Sequence, residues 1–270
     1  MKPSARSPIG VFDSGLGGLT VLKALARRMP EESLVYFGDT AHVPYGTKSP
    51  EAIARYSTQV ARFLAGRGIK LLVVACNTSS AWALPAIRRA AKVPVIGVVE
   101  PGARAALAAA PSGRVGVIGT EATVASRAYP KALARLKRGV RVESRACPLF
   151  VPLVEEGWWS GPVAAAVARR YAAPLRKAGV KAVILGCTHY PYLKGVLARA
   201  LGRGVRLIDS AEETAAETER ALARRGLRAP MGRRGRREFY ASDAPERFRR
   251  LGARMLGRAP EKVKLKVLDD

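Results

Sequence analysis

Residues 70–92, KLLVVACNTSSAWALPAIRRAAK, run from an unbroken apolar stretch through a polar corner into helical periodicity. Leu71 to Ala75 carry no polar side chain, so an extended segment here is buried on both faces. That is the pattern of an interior strand in a parallel sheet, whereas a strand with one wet face alternates. The corner itself is Cys76-Asn77-Thr78. The same design returns at 180–201, VKAVILGCTHYPYLKGVLARAL, with Cys187-Thr188-His189 at the corner.

Outward from these two stretches, strand-length apolar runs alternate with helical segments along the whole chain. SPIGVFDSG (7–15), SLVYFGDT (33–40), VPVIGVVEP (93–101), the start of RVGVIGTEATVASRAYPKALARL (114–136), VRVESRAC (140–147) and the start of VRLIDSAEETAAETERALARRG (205–226) supply the other strands. Such alternation predicts parallel sheets with helices on each side. IGVFDSGLGGLTVLKAL from Ile9 resembles VGVIGTEATVASRAYPKAL from Val115, and the two cysteine corners are separated by nearly the same interval. The expected fold is therefore α/β, with two similar domains, each a parallel sheet flanked by helices, facing across a central cleft. Residues 1–98 plus 210–270 form the first, discontinuous domain in this reading, and 99–209 the second.

Composition narrows the function classes. The chain has 270 residues and three cysteines (Cys76, Cys147, Cys187), too sparse and odd a set for a disulfide framework. No apolar run reaches the roughly 20 residues that span a bilayer, and no signal-peptide pattern opens the chain, so no membrane association and a cytoplasmic location are expected. The formal charge of +26 is distributed mainly over helical segments, as solvated faces. Its densest cluster is ARRGLRAPMGRRGRREF (223–239), with seven arginines from Arg224 to Arg237. Without interleaved aromatics this cluster supports at most non-specific phosphate binding.

Open α/β sheets bind ligands beyond the carboxyl ends of their strands. Four such ends carry small polar groups: Asp13-Ser14, Cys76-Asn77-Thr78, Thr120 and Cys187-Thr188-His189. If two similar halves face each other, one cleft receives a thiol from each side, the geometry of a two-base reaction at one carbon. Each thiol would gain from a helix N-terminus. A lone strand-end cysteine is otherwise a small buried hydrophobe; a redox pair lacks the C-x-x-C spacing, and Cys187 with His189 lacks zinc-ligand spacing. Cys147 reads as structural. DSGLGG (13–18) lacks the third glycine of a dinucleotide fingerprint and the lysine of a P-loop; Asp13 at its head suits an ammonium group, a proton relay or a helix cap. GDTAHVPYGTKS (38–49) is a polar loop whose Tyr45-Gly46 offers a hydroxyl and an N–H to a carboxylate. His42 in that loop reads as solvated, and His189 as a residue that tunes the proton of Cys187.

Taken in order, DSGLGG, GDTAHVPYGTKS, ACNTSSA, EPG, VPLVEEG, LGCTHYP and FYASDAPERF resemble the glutamate racemases of the cofactor-independent aspartate/glutamate racemase superfamily. The resemblance spans Ile9 to about Leu256. It implies interconversion of L- and D-glutamate, the latter for peptidoglycan synthesis, with no cofactor and no metal. It assigns Cys76 to deprotonation of D-glutamate and Cys187 to that of L-glutamate, with Asp13 and His189 assisting them respectively. Asp13, Ser14, Tyr45, Gly46, Asn77, Thr78, Thr188 and His189 would hold the substrate, with Thr120 and Glu155 as further members. The expected partner is the small-molecule substrate glutamate, and the expected assembly a homodimer. The resemblance brings in DNA gyrase as a partner of some family members, and the arginine cluster brings in nucleic acid, but no residue specifies either interaction. A racemase of aspartate or another acidic amino acid, and a nucleic-acid-binding protein acting through the arginine cluster, are the alternative readings.

Overall fold

The structure is a computed structural model that describes residues 3–268. The chain begins β1 (Ile9–Asp13), α1 (Leu19–Arg28) and β2 (Leu34–Gly38), crosses two 3-10 turns at Thr40–His42 and Tyr45–Thr47, and continues as α2 (Pro50–Gly66) and β3 (Leu71–Val74). Next come α3 (Asn77–Trp82), α4 (Leu84–Ala91), β4 (Val95–Gly97) and α5 (Val99–Ala109). The second series is β5 (Arg114–Gly119), α6 (Glu121–Ala125), α7 (Ala128–Leu136), β6 (Arg141–Ala146), α8 (Phe150–Glu155), α9 (Gly161–Lys177) and β7 (Ala182–Gly186). A 3-10 turn (Tyr190–Leu193), α10 (Lys194–Leu201), β8 (Arg206–Ile208), α11 (Ser210–Arg224), β9 (Arg237–Ala241), α12 (Pro245–Leu256) and β10 (Val263–Leu265) complete it.

Among the described residues these strands make two sheets, ordered β10-β9-β2-β1-β3-β4 and β6-β5-β7-β8. All pairings are parallel. The order β2-β1-β3-β4 is repeated by β6-β5-β7-β8, so the weak sequence repeat has a topological counterpart. β3 and β7 each flank a central strand on the same side, which gives Cys76 and Cys187 equivalent places beyond their ends. The first lobe differs by β9 and β10, which return from the end of the chain to extend its sheet past β2.

Apolar packing follows the layers. Phe12, Phe37, Leu72 and Val74 pack under α2 and α4 on one face of the first sheet. Val115, Val117, Ala182 and Ile184 pack under α5 and α7 on the second. The remaining faces share one large core, in which Val11 and Tyr36 of the first sheet belong with Val183 and Leu185 of the second. Helix α11 packs on both α1 and α5, so it is held by elements of both lobes.

Several expectations are refined. The single helix read after Cys76 is two, because Ala83 caps one and begins the next ahead of Pro85, which has no N–H to continue the ladder. The strand read over 93–101 is confined to Val95–Gly97; Val99 already starts α5, and Pro101 is tolerated because the first turn of a helix needs no amide donors. Burial on both faces holds for β1, β2, β3 and β7, while the sheet-edge strands β4, β6 and β8 are only partly buried. Helix α8 and strands β9 and β10 had no expectation of their own. Among the described residues no helix is long and apolar enough to cross a membrane.

Candidate active site

Beyond the carboxyl ends of β1, β3, β5 and β7 lies a cavity with about 400 Å³ of empty space, its opening included. Cys76 and Cys187 both line it, together with Ser14, Tyr45, Gly46 and Asn77, and with Thr78, Thr120, Glu155, Thr188 and His189. Two wider grooves elsewhere contain neither a thiol nor an imidazole. Of the residues expected at the site, Asp13 alone stands behind the wall, fully buried. Sequence reasoning did not anticipate the apolar members Val43, Pro44 and Val151.

Cys76 is the cap of α3, and its sulfur accepts the Ser79 amide at 3.4 Å and lies 3.5 Å from Ser14 Oγ. Burial, reinforced by the negative charge of Asp13, pushes its thiol up to about 11 against these hydrogen bonds. Cys187 differs: the turn after it begins only at Tyr190, and its neighbour is His189, whose Nδ1 stands 3.8 Å from Sγ. Cys76 therefore has the expected place at a helix N-terminus but not the expected lowering of its thiol, and at Cys187 an imidazole stands in place of the helix end. Burial would depress His189, yet the Cys187 sulfur and the Glu155 carboxylate outweigh it and raise the imidazole to about 10. Glu155 Oε1 lies 3.4 Å from His189 Nε2, and that contact, against burial, holds its carboxyl below the usual range.

Asp13 is not the cap residue of α1, which is Gly18, but its carboxyl takes a hydrogen bond from the Gly18 backbone. Its Oδ2 accepts the Gly15 amide at 3.0 Å and its Oδ1 accepts Thr188 Oγ1 at 3.4 Å, from the other lobe. Burial raises this carboxyl, and the charge of His189 with these bonds pulls it back. Thr78 of the first lobe meets Thr120 and Thr123 of the second, each at 3.0 Å. Tyr129 OH donates to Asn77 Oδ1 at 2.6 Å, and Trp82 Nε1 to Ala122 O at 2.7 Å. The cavity is thus stitched across its cleft by hydroxyls and amides.

The turn bearing Tyr45 and Gly46 is fixed by Asp39, one of the most buried carboxylates. Asp39 accepts from Tyr45 OH, from His42 Nδ1 at 2.9 Å and from Ser242 Oγ at 2.7 Å. His42, read as solvated, instead stacks on Tyr56 with centroids 3.9 Å apart. Asp39 follows the end of β2 as Asp13 ends β1, and the strand-end rule that selected Asp13 also covers it. Cys147 is buried without lining the cavity, and its carbonyl accepts Tyr190 OH. In the arginine cluster, Arg224 and Arg228 pair with Glu217 and Glu219, and Arg237 bonds Glu32 O. Among the described residues no group of three or more His, Cys, Asp or Glu forms a metal-holding cluster.

Parallel sheets of repeated strand order, with a thiol from each lining one cleft, fit a class of enzymes, the racemases. The chain belongs to the Asp/Glu/Hydantoin racemase family, whose model matches residues 12–218. It is 55% identical over 249 residues to the glutamate racemase of Geobacter metallireducens, covering 92% of each chain. Its structure is similar to that of Francisella tularensis glutamate racemase in complex with D-glutamate, with TM-score 0.93 and 37% identity over 98% of this chain and 99% of that one. Thermus thermophilus glutamate racemase, solved with β-chloro-D-alanine, gives TM-score 0.89 and 50% identity over 98% of each chain. Within its family the chain falls among the glutamate racemases, and it is an isomerase.

Proposed function

We propose that this chain racemises glutamate through two opposed thiols, Cys76 and Cys187, one on each face of the substrate α-carbon. The observation that carries the reading is that both line one cavity from equivalent strand ends of the two lobes. With L-glutamate, the Cys187 thiolate takes the Cα proton and the Cys76 thiol delivers its own to the opposite face. The products are D-glutamate, a Cys187 thiol and a Cys76 thiolate, and D-glutamate runs the steps in reverse. The surroundings support this assignment: burial and Asp13 keep Cys76 protonated at neutral pH, and His189 Nδ1 stands 3.8 Å from Cys187 Sγ, within reach of its proton.

Ser14, Tyr45, Gly46, Asn77, Thr78, Thr188 and Thr120 would hold the two carboxylates and the ammonium group, with Asp13 assisting Cys76. A Cα–H is a weak acid, and the chemistry asks no cofactor: fixed hydroxyl and amide dipoles in a largely buried site lower the barrier to the carbanion. The working unit would be the two lobes, residues 1–98 plus 210–270 and 99–209. D-glutamate from this reaction would serve peptidoglycan synthesis in the cytoplasm. A homodimer is the expected assembly, with the exposed Leu149, Trp158 and Val163 as an apolar face available to it; light scattering checks it.

The mechanism is tested with Cys76→Ser and Cys187→Ser in deuterated water. Each variant should lose racemisation by orders of magnitude, and wild-type product should carry solvent deuterium at Cα. Full activity in either variant would overturn the two-thiol reading.

A further inference from the structure

Helix α12 belongs to the first lobe, packing on α1, β9 and β10. Its Arg247 reaches across the cleft to α8 of the second lobe, where Nη2 lies 3.6 Å from Glu155 Oε2. The other oxygen of that carboxylate, Oε1, faces His189 Nε2 at 3.4 Å, and His189 Nδ1 faces Cys187 Sγ at 3.8 Å. A continuous line of polar groups therefore runs from a half-exposed guanidinium on one lobe to a buried thiol on the other. Cys76 has a different environment: its hydrogen-bonding neighbours, Ser14 and Ser79, belong to its own lobe.

We propose that Arg247 is a positioning residue for the Cys187 half of the reaction. By holding Glu155 Oε2 from the opposite lobe, it leaves Oε1 for His189 and so fixes the imidazole with Nδ1 toward the sulfur. A carboxylate free to rotate would offer either oxygen to His189 and let the ring swing. Arg247 touches neither thiol nor cavity, so its effect passes entirely through Glu155. The inference rests on Cys187 being one of the two acid/bases.

The consequence is one-sided, and kcat/KM cannot report it. Because the two enantiomers are of equal free energy, kcat/KM must fall equally in both directions. The primary deuterium isotope effect separates the two halves. Slowing proton transfer at Cys187 makes removal of deuterium from Cα-deuterated L-glutamate more rate-limiting. It makes the removal from D-glutamate at Cys76 less so.

The experiment measures kcat, KM and isotope effects for Arg247→Ala and Arg247→Lys in both directions. Arg247→Ala should lower kcat by about two- to fivefold, the size of a half-exposed ion pair, with KM unchanged. The isotope effect should rise with deuterated L-glutamate and fall with deuterated D-glutamate, and Arg247→Lys should restore most of the rate by keeping the charge. An unchanged kcat, isotope effects that move together, or a lysine variant no better than alanine would overturn the proposal. Failure of the underlying assignment is read separately, as retained activity in Cys187→Ser.

Discussion

Gly17 stands where the turn after β1 meets the second lobe. A methyl group built there would lie 2.2 Å from Thr188 Oγ1 and 2.7 Å from His189 Nδ1, so the turn must be glycine for the two lobes to close. Displacing the imidazole by about an ångström is worth roughly 10²-fold in rate. Gly17→Ala should accordingly lose about that much kcat while still folding, as steady-state rates and thermal melts will show. His189 also couples the site to stability. Its folded pKa, about 10, lies above the unfolded value of 6.5. The stability it contributes is thus fully present below about pH 6.5 and is lost as pH rises toward 10. Urea titrations should find that wild type loses more stability over this interval than His189→Asn. The paired thiols were legible from sequence because each ends an unbroken apolar run. Residues that act through the fold were not: His42 looked like loop decoration, and nothing near Tyr129 marks it as the partner of Asn77.

At the scale of elements, the cavity depends on the start of α3 being tied to α6 and α7 of the other lobe. Tyr129 OH to Asn77 Oδ1 is one of the buried bonds in that tie, beside those of Thr78 to Thr120 and Thr123. Tyr129→Phe leaves the amide oxygen without its donor inside the protein, at a cost of about 1–3 kcal/mol. The loss should appear as a lowered urea midpoint with a fall in kcat. The interior strands were legible because burial on both faces leaves a continuous apolar signature. Strand β9 was hidden for the opposite reason: it begins Arg237-Glu238, and only Phe239, Tyr240 and Ala241 enter the core. β10 spans only Val263–Leu265, too short to show a period. Pairing with neighbours, rather than local pattern, makes both of them strands.

Across the whole molecule, one buried ion pair gathers distant segments. Lys70 Nζ, fully enclosed, lies 2.6 Å from Glu32 Oε2 and donates to Ala5 O at 2.6 Å and Leu227 O at 2.7 Å. Removing one partner of such a pair strands a charge and costs about 3–5 kcal/mol. Lys70→Met should therefore be strongly destabilised, and adding Glu32→Leu should recover part of the loss, both measured by urea unfolding. The global duplication was readable from the echo between the two cysteine corners, and the cross-lobe contacts that make one cavity of it were not, since no local period encodes them. The late return of β9 to the flank of β2 also sets an order of assembly during synthesis. The second sheet draws its strands from 114–208 without interruption, so it can close as soon as that stretch clears the ribosome. The first sheet must wait for residues 237–265, and until they emerge the nascent chain carries β2 as an open, sticky edge.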